Sequence, residues 1–223
     1  DRPLGHVMAR HTVGLTDPLD AGELEEGDRV RDSLPQTLEE CIDAYGLTHF
    51  KIKVCGNLDR DIPRLRRLRD IIIGQAPADF AFSLDGNEQF KTCEDFHTFW
   101  NAVCEDPRLR VFFEHALFIE QPLTRKVALS DEVAAIKTWE DLPPIIIDES
   151  DATLESTPRA LELGYAGTSH KNCKGVIRGI LNRCLINYRA ARQDGGGRGY
   201  FISGEDLVNI GPVALLQDLA LQA

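Results

Sequence analysis

Apolar and polar residues along the chain follow two periods in turn, which predicts strands that are each followed by a helix. Short apolar or alternating runs typical of strands occur at residues 6–13, 49–54, 79–85, 117–120, 144–148, 167–172 and 199–203. Stretches with helical spacing occur at residues 38–45, 60–74, 94–105, 111–116, 130–139, 158–163, 176–192 and 212–221. Glycine-rich and charged residues between them, at 16–31 and 194–197, are predicted to form loops.

The order of these elements predicts one α/β barrel. About seven strand–helix units follow one another without a linker, and this alternation is typical of a parallel sheet. A chain of 223 residues has the length of a single α/β barrel. We therefore expect a TIM-like barrel that occupies residues 1–223 as one domain. The glycines at 195–197 precede a strand, whereas a dinucleotide-binding loop follows a strand and opens a helix, so they do not match that motif.

Acidic residues outnumber basic ones, which narrows the range of partners. The formal net charge is −11 at pH 7, and this excess disfavours binding to nucleic acid or to an anionic membrane. No apolar run approaches the roughly 20 residues that a membrane-spanning helix needs. The six cysteines form no C-x-x-C pair, so we expect buried free thiols in a reducing compartment and a cytoplasmic protein.

Charged residues recur where the predicted strands end, and a barrel places its active site at the carboxyl ends of its strands. Lys53, Asp85, Glu120, Asp148 and Lys171 are separated by 32, 35, 28 and 23 residues. One strand–helix unit of a barrel takes about 31 residues. Charges on a solvated surface are not expected to recur at the same point of successive strand–helix units, so we interpret these residues as one site.

The residue types at these ends suggest a metal and buried lysines. Alternation along the strand puts Lys51 and Lys53 on the face opposite Ile52, so both face the barrel axis if Ile52 faces the helices. Three converging carboxylates repel one another unless a cation joins them, and hard oxygen ligands suit Mg²⁺. Taken singly, each signal has a simpler explanation: a solvated edge strand for the two lysines, helix N-caps for Asp85 and Asp148, and a loop position for Lys171.

Five motifs in this order resemble the enolase superfamily, and within it the muconate lactonizing enzyme-like subgroup. They are K-I-K at 51–53, L-D-G-N-E at 84–88, F-I-E-Q-P at 118–122, I-D-E-S at 147–150 and S-H-K-N-C-K-G at 169–175. The resemblance implies a modified (β/α)7β barrel that acts as a catalytic domain beside an α+β capping domain. Neither a preceding capping domain nor the last strand and C-terminal end is apparent, so we expect a barrel from a longer protein.

The resemblance also implies a role for each matching residue. Asp85, Glu120 and Asp148 would ligate Mg²⁺. Lys53 and Lys171 would exchange a proton on opposite faces of the substrate, with Lys51 beside them to position Lys53 and lower its pKa. Residues that would bind substrate or support these groups are Asn87, Gln121 and Glu149.

The implied reaction is abstraction of the α-proton of a small carboxylate substrate through an enediolate that Mg²⁺ stabilises. The enzyme would be an isomerase or a lyase: an epimerase or racemase, a cycloisomerase or a syn-dehydratase. Residues 203–206, at the end of strand seven, contain no histidine, which argues against mandelate racemase-like chemistry. The alternatives are an acid-sugar dehydratase of the same superfamily and a non-catalytic ligand-binding barrel. Apolar helix faces are compatible with a homo-oligomer.

Overall fold

Seven parallel strands form the centre of the fold in a computed structural model. The model describes residues 5–25, 27–192 and 199–205 and positions 216 and 220. Within these residues each strand pairs in parallel with the next one along the chain. The strands are β1 (His11–Val13), β2 (His49–Lys53), β3 (Ala81–Asp85), β4 (Ala116–Glu120), β5 (Ile145–Ile147), β6 (Gly167–His170) and β7 (Phe201–Gly204).

Helices connect the strands, as the alternating pattern predicts. They are α1 (Leu38–Tyr45), α2 (Leu58–Gln75), α3 (Cys93–Glu105), α4 (Pro107–Phe113), α5 (Ser156–Leu163) and α6 (Val176–Arg192). Three short 3₁₀ helices lie at Ala21–Glu23, Asp131–Thr138 and Asn172–Lys174. The predicted loop at 194–197 and most of the predicted helix at 212–221 lie outside the described residues.

Three elements differ from the sequence prediction in type or by four or more residues at one end. The helix predicted at 111–116 instead begins at Pro107, because the side chain of Asp106 accepts the backbone N–H groups of Arg108 and Leu109. The segment predicted as a helix at 130–139 is a 3₁₀ helix, and its N-cap residue makes no capping hydrogen bond through its side chain. The first strand begins only at His11, since the exposed residues 5–9 pair with no strand in the part of the chain that the structure describes.

The two faces of the sheet have different compositions. Ile52, Leu84 and Ile119 lie level on β2, β3 and β4 and are completely buried in the main apolar core. Buried side chains of α2, α3 and α4 complete this core. Ile52 therefore faces the helices, and the opposite face carries Lys51. The apolar core on that opposite face is small and consists of Phe118, Ile146, Ala166 and Phe201.

The sheet curls so that its first and last strands approach each other. Arg10, next to β1, donates hydrogen bonds to the hydroxyl groups of Ser83 on β3 and Ser203 on β7. Its guanidinium also lies over the ring of Phe118, 4.8 Å from the centroid. No β1–β7 pairing occurs among the described residues. The fold is thus a curled, parallel half-barrel of seven strands.

The cysteine side chains are more exposed than the sequence predicts. All six cysteines are free, as predicted, but the expectation that they are buried is wrong: four are half-buried, and Cys173 and Cys184 are exposed. No helix in the described part of the chain is both long and apolar enough to cross a bilayer.

Candidate active site

The predicted site residues lie together at the carboxyl ends of the strands. Asp85 and Glu120 are the last residues of β3 and β4, and the two residues are paired in register with each other. Asp148 and Lys171 directly follow β5 and β6. Neither aspartate is a helix N-cap, because Thr92 caps α3 and Glu155 precedes α5.

Lys51 lies at the centre of the site and is almost completely buried. Its Nζ is 2.9 Å from Asp85 Oδ2, 3.2 Å from Glu120 Oε1 and 2.8 Å from Glu205 Oε1. Burial alone lowers the pKa of Lys51, but the charges of Glu120, Asp85 and Glu205 outweigh burial and raise it. Lys51 is therefore the main counter-charge of three carboxylates, and the alternative of a solvated edge strand is excluded for this residue.

Glu120 is the most deeply buried carboxylate of the site. Burial raises its pKa, Lys51 lowers it, and the charges of Asp85 and Asp148 raise it, so that the pKa of Glu120 is about 7. Its Oε2 is 3.9 Å from Arg10. An acidic residue inside the sheet thus depends on two cations that reach it from β2 and from the start of β1.

Asp148 contacts two lysines that follow β6. Lys171 Nζ is 2.8 Å from Asp148 Oδ2, and Lys174 Nζ is 2.8 Å from Oδ1. Burial lowers the pKa of Lys171, whereas hydrogen bonds and charges from Asp148 and Glu205 raise it by more. Lys171 is therefore held in its charged form while these ion pairs are formed.

Glu205, just after β7, is a site residue that the motifs did not identify. It links the two lysines, with Oε1 2.8 Å from Lys51 and Oε2 2.6 Å from Lys171. Burial raises the pKa of Glu205, but Lys51 and Lys171 together lower it to about 2. The available signal was its position, because Glu205 directly follows a strand, as Asp148 and Lys171 do.

Lys53 differs from the other lysines of the site. It is the last residue of β2, on the same face as Lys51, and is half-buried. It makes no ion pair with the described residues, whereas Lys51, Lys171 and Lys174 each contact at least one carboxylate. Lys53 is therefore the site lysine whose ammonium group is not already bound to a carboxylate.

Asn87 and Glu149 form a pair beside Asp148. Asn87 Nδ2 donates to Glu149 Oε1 at 3.1 Å, and Asn87 has a left-handed backbone with φ of 39°. Burial raises the pKa of Glu149, and the neighbouring charge of Asp148 raises it further. Its Oε2 is buried and accepts no hydrogen bond from the described residues. These two predicted residues meet at the edge of the carboxylate cluster.

Gln121 makes hydrogen bonds that hold two neighbouring segments together, a role that the sequence did not predict. Its side chain is buried, and its Oε1 accepts the backbone N–H groups of Asp148 at 2.8 Å and Ser150 at 3.1 Å. Its Nε2 donates to Leu123 O and Ser150 Oγ. Gln121 therefore joins the end of β4 to the segment that carries Asp148.

The carboxylates have the chemistry of a divalent-cation site. One oxygen from each of Glu120, Asp148 and Glu205 lies within 4.8 Å of the other two. Asp85 Oδ2, Glu120 Oε2 and Asp148 Oδ2 are buried, and they face the cationic groups of Lys51, Arg10 and Lys171, respectively. Carboxylate oxygens are the ligands that Mg²⁺ prefers, so Glu120, Asp148 and Glu205 have donor chemistry that fits this metal. This group has Glu205 in the place of Asp85, the third ligand that the motifs imply.

Proteins of known structure share this fold. No protein-family model matches the chain, and no curated protein matches it. Solved structures that match include members of the mandelate racemase/muconate lactonizing enzyme family and several epimerases. The sequence motifs had indicated this resemblance, and it is confirmed at the level of the fold.

Three of these structures illustrate the similarity. N-succinyl Arg/Lys racemase from Bacillus cereus ATCC 14579 is 20% identical, with a TM-score of 0.63 over 96% of this chain and 49% of its own. A mandelate racemase/muconate lactonizing protein from Herpetosiphon aurantiacus is 22% identical (TM-score 0.59; 83% and 45% covered). A dipeptide epimerase from Methylococcus capsulatus, complexed with Mg and the dipeptide L-Arg-D-Lys, is 21% identical (TM-score 0.58; 97% and 51% covered). The chain thus spans about half the length of the structures it matches.

Proposed function

We propose that this chain is the barrel of an enolase-superfamily enzyme that abstracts the α-proton of a small carboxylate substrate with the help of Mg²⁺. The observation that carries the proposal is the meeting of Lys51, Lys171 and four carboxylates at one end of the parallel sheet. The similarity to racemases and epimerases supports an isomerase over a lyase.

Three carboxylates would hold the metal: Asp85, Glu120 and Asp148. Each has a buried oxygen that already faces a cationic side chain. Asp85 Oδ2 lies 2.9 Å from Lys51, Asp148 Oδ2 lies 2.8 Å from Lys171, and Glu120 Oε2 lies 3.9 Å from Arg10. When bound, Mg²⁺ would supply positive charge that stabilises the enediolate form of the substrate. Glu205 would remain paired with Lys51 and Lys171, which are its partners in the structure.

Lys53 and Lys171 would carry the proton to and from the α-carbon. A lysine accepts a proton only in its neutral form. Lys53 suits this role because it makes no ion pair with the described residues. Lys171 is held in its charged form partly by Asp148, and a bound cation that neutralises Asp148 would remove this cause. Lys51, held by three carboxylates, would position them and would not take the proton.

Exchange of the α-proton with solvent tests this proposal. The protein is incubated in D₂O with Mg²⁺ and a panel of dipeptides and N-succinyl amino acids, and the α-proton signal is followed by NMR. We expect loss of the signal for at least one compound, no loss when EDTA is present, and no loss for Lys53→Ala or Lys171→Ala. Exchange without a keto product indicates an epimerase, whereas a keto product indicates a dehydratase.

A matched surface variant controls for general damage. Lys126 is exposed and makes no ion pair in the described structure, so Lys126→Ala is expected to keep full exchange. Full exchange by Lys53→Ala or Lys171→Ala would contradict the assigned roles.

One observation favours a non-catalytic barrel as the second candidate. Lys51, Lys171 and Lys174 already neutralise much of the carboxylate charge, so the cluster can be stable without a metal. This candidate predicts that Mg²⁺ does not bind and that no compound of the panel exchanges its proton.

A further inference from the structure

Lys174 is a second lysine beside the predicted acid/base residue Lys171, and its contacts are different. Its Nζ donates to Asp148 Oδ1 at 2.8 Å, to the backbone oxygen of Asp148 at 2.6 Å and to the backbone oxygen of Ser169 at 2.6 Å. An ammonium group has three N–H donors, so all three are used. The side chain is only 9% exposed.

These contacts separate Lys174 from Lys171 in function. Two of the three acceptors of Lys174 are main-chain carbonyl groups. These groups are uncharged, and the backbone of the sheet fixes their positions. Among the described residues, the ammonium group of Lys171 contacts two side-chain oxygens, Asp148 Oδ2 and Glu205 Oε2. Lys174 is therefore suited to holding structure in place, whereas Lys171 can leave its partners by a change of side-chain conformation.

Asp148 is held from the opposite side by Gln121. The backbone N–H of Asp148 donates to Gln121 Oε1 at 2.8 Å, while its backbone oxygen and Oδ1 accept from Lys174. The remaining carboxylate oxygen, Oδ2, faces Lys171 at 2.8 Å and accepts no hydrogen bond from Lys174 or Gln121. Asp148 is thus held at its backbone N–H, its backbone oxygen and one carboxylate oxygen, Oδ1, and Oδ2 is left for the site.

We propose that Lys174 is a positioning residue that fixes Asp148 so that its Oδ2 is presented to a divalent cation. This inference rests on the proposed function, because it takes Asp148 to be a metal ligand. Neighbouring groups that orient metal ligands typically change metal affinity by about 10- to 100-fold when they are removed.

Positioning and simple electrostatics predict opposite results for the loss of Lys174. A positive charge beside Asp148 repels a bound cation, so its removal alone would tighten metal binding. Loss of orientation would weaken binding, because the buried carboxylate must then be ordered when the metal binds. The direction of the change therefore distinguishes the two effects.

The experiment measures Mn²⁺ affinity by electron paramagnetic resonance for the wild-type protein and for Lys174→Met, with no substrate present. We expect Lys174→Met to bind Mn²⁺ about 10- to 100-fold more weakly. Lys126→Met, at an exposed lysine without an ion pair in the described structure, is the matched control and is expected to keep the wild-type affinity. Circular dichroism of each variant checks that the fold is retained.

Lys174→Arg provides a second test that is valid even if Lys174→Met does not fold. Arginine keeps the charge, but its planar guanidinium cannot place three donors on oxygens grouped around one nitrogen. We expect weaker Mn²⁺ binding for this variant also.

The outcomes separate this inference from the proposed function. Wild-type Mn²⁺ binding together with unchanged or tighter binding by Lys174→Met would overturn the positioning role and leave the metal site intact. Wild-type Mn²⁺ affinity in Lys174→Arg would likewise overturn the positioning role. It would show that the three hydrogen bonds of Lys174 are not needed for metal binding. Failure of the wild-type protein to bind Mn²⁺ would overturn the metal site and the positioning role together.

Discussion

Replacement of Lys51 by methionine would remove the counter-charge of three carboxylates while keeping most of the side-chain volume. Only 4% of the Lys51 side chain is exposed, and Asp85, Glu120 and Glu205 lie between 2.8 and 3.2 Å from its Nζ. Removal of one partner from a buried ion pair costs about 3–5 kcal/mol, because the remaining charge stays buried and unpaired. We therefore expect Lys51→Met to lose about 3–5 kcal/mol of unfolding free energy at pH 8.

The loss should depend on pH because Glu120 titrates near neutrality. Burial raises the pKa of Glu120 to about 7, so this residue stabilises the fold at low pH, and that stability is lost as the pH rises through 7. Without Lys51, one cause that lowers the pKa of Glu120 disappears, so the pKa rises and more unfolding free energy is lost at high pH. At pH 5 Glu120 is protonated in both proteins, so their difference should be smaller by roughly 1 kcal/mol or more.

Urea denaturation at pH 8 and pH 5, followed by circular dichroism, measures both quantities. Lys126→Met is the matched control and should change the unfolding free energy by less than about 0.5 kcal/mol, as expected for a surface substitution. A loss below about 1 kcal/mol at pH 8, or an equal loss at both pH values, would refute the view that Lys51 neutralises a buried carboxylate cluster.

Two further predictions concern the packing that supports the site. In Gly167→Ala the added methyl group would lie 1.8 Å from the backbone oxygen of Phe201, so β6 and β7 must separate; we expect a loss of about 1–3 kcal/mol or more in urea denaturation, and wild-type stability would contradict this close approach. Tyr165→Phe removes a buried hydroxyl group that donates to Ala128 O at 2.9 Å. We expect a loss of about 0.5–1.5 kcal/mol of unfolding free energy, with α-proton exchange unchanged. Altered exchange would contradict a purely structural role.

Local signals explain why some elements were predicted with the bounds that the structure has. Helix α1 spans residues 38–45, as predicted, because Thr37 caps its first turn and Gly46 ends it with a φ of 59°. Helix α6 also has its predicted bounds, 176–192. Helix α4 was misplaced because its apolar spacing was followed without the capping signal of Asp106 and Pro107.

The positions of the charged strand ends were predictable, but their pairing was not. The repeat of strand and helix places Asp85, Glu120 and Asp148 at one end of the sheet. The contacts of Arg10, by contrast, lie 73 and 193 residues away at Ser83 and Ser203. Such contacts depend on how far the sheet curls, which no local pattern specifies. The same holds for Glu205, which reaches Lys51 across 154 residues.

Anomalous diffraction from crystals of the protein grown with Mn²⁺ tests the central claim most directly, because it locates the metal without any knowledge of the substrate. The account predicts one peak at the carboxyl ends of the strands, about 2.0–2.3 Å from oxygens of Asp85, Glu120 and Asp148. The absence of a peak there, with Lys51 and Lys171 still bound to these carboxylates, would contradict the proposed Mg²⁺ chemistry and favour a non-catalytic barrel.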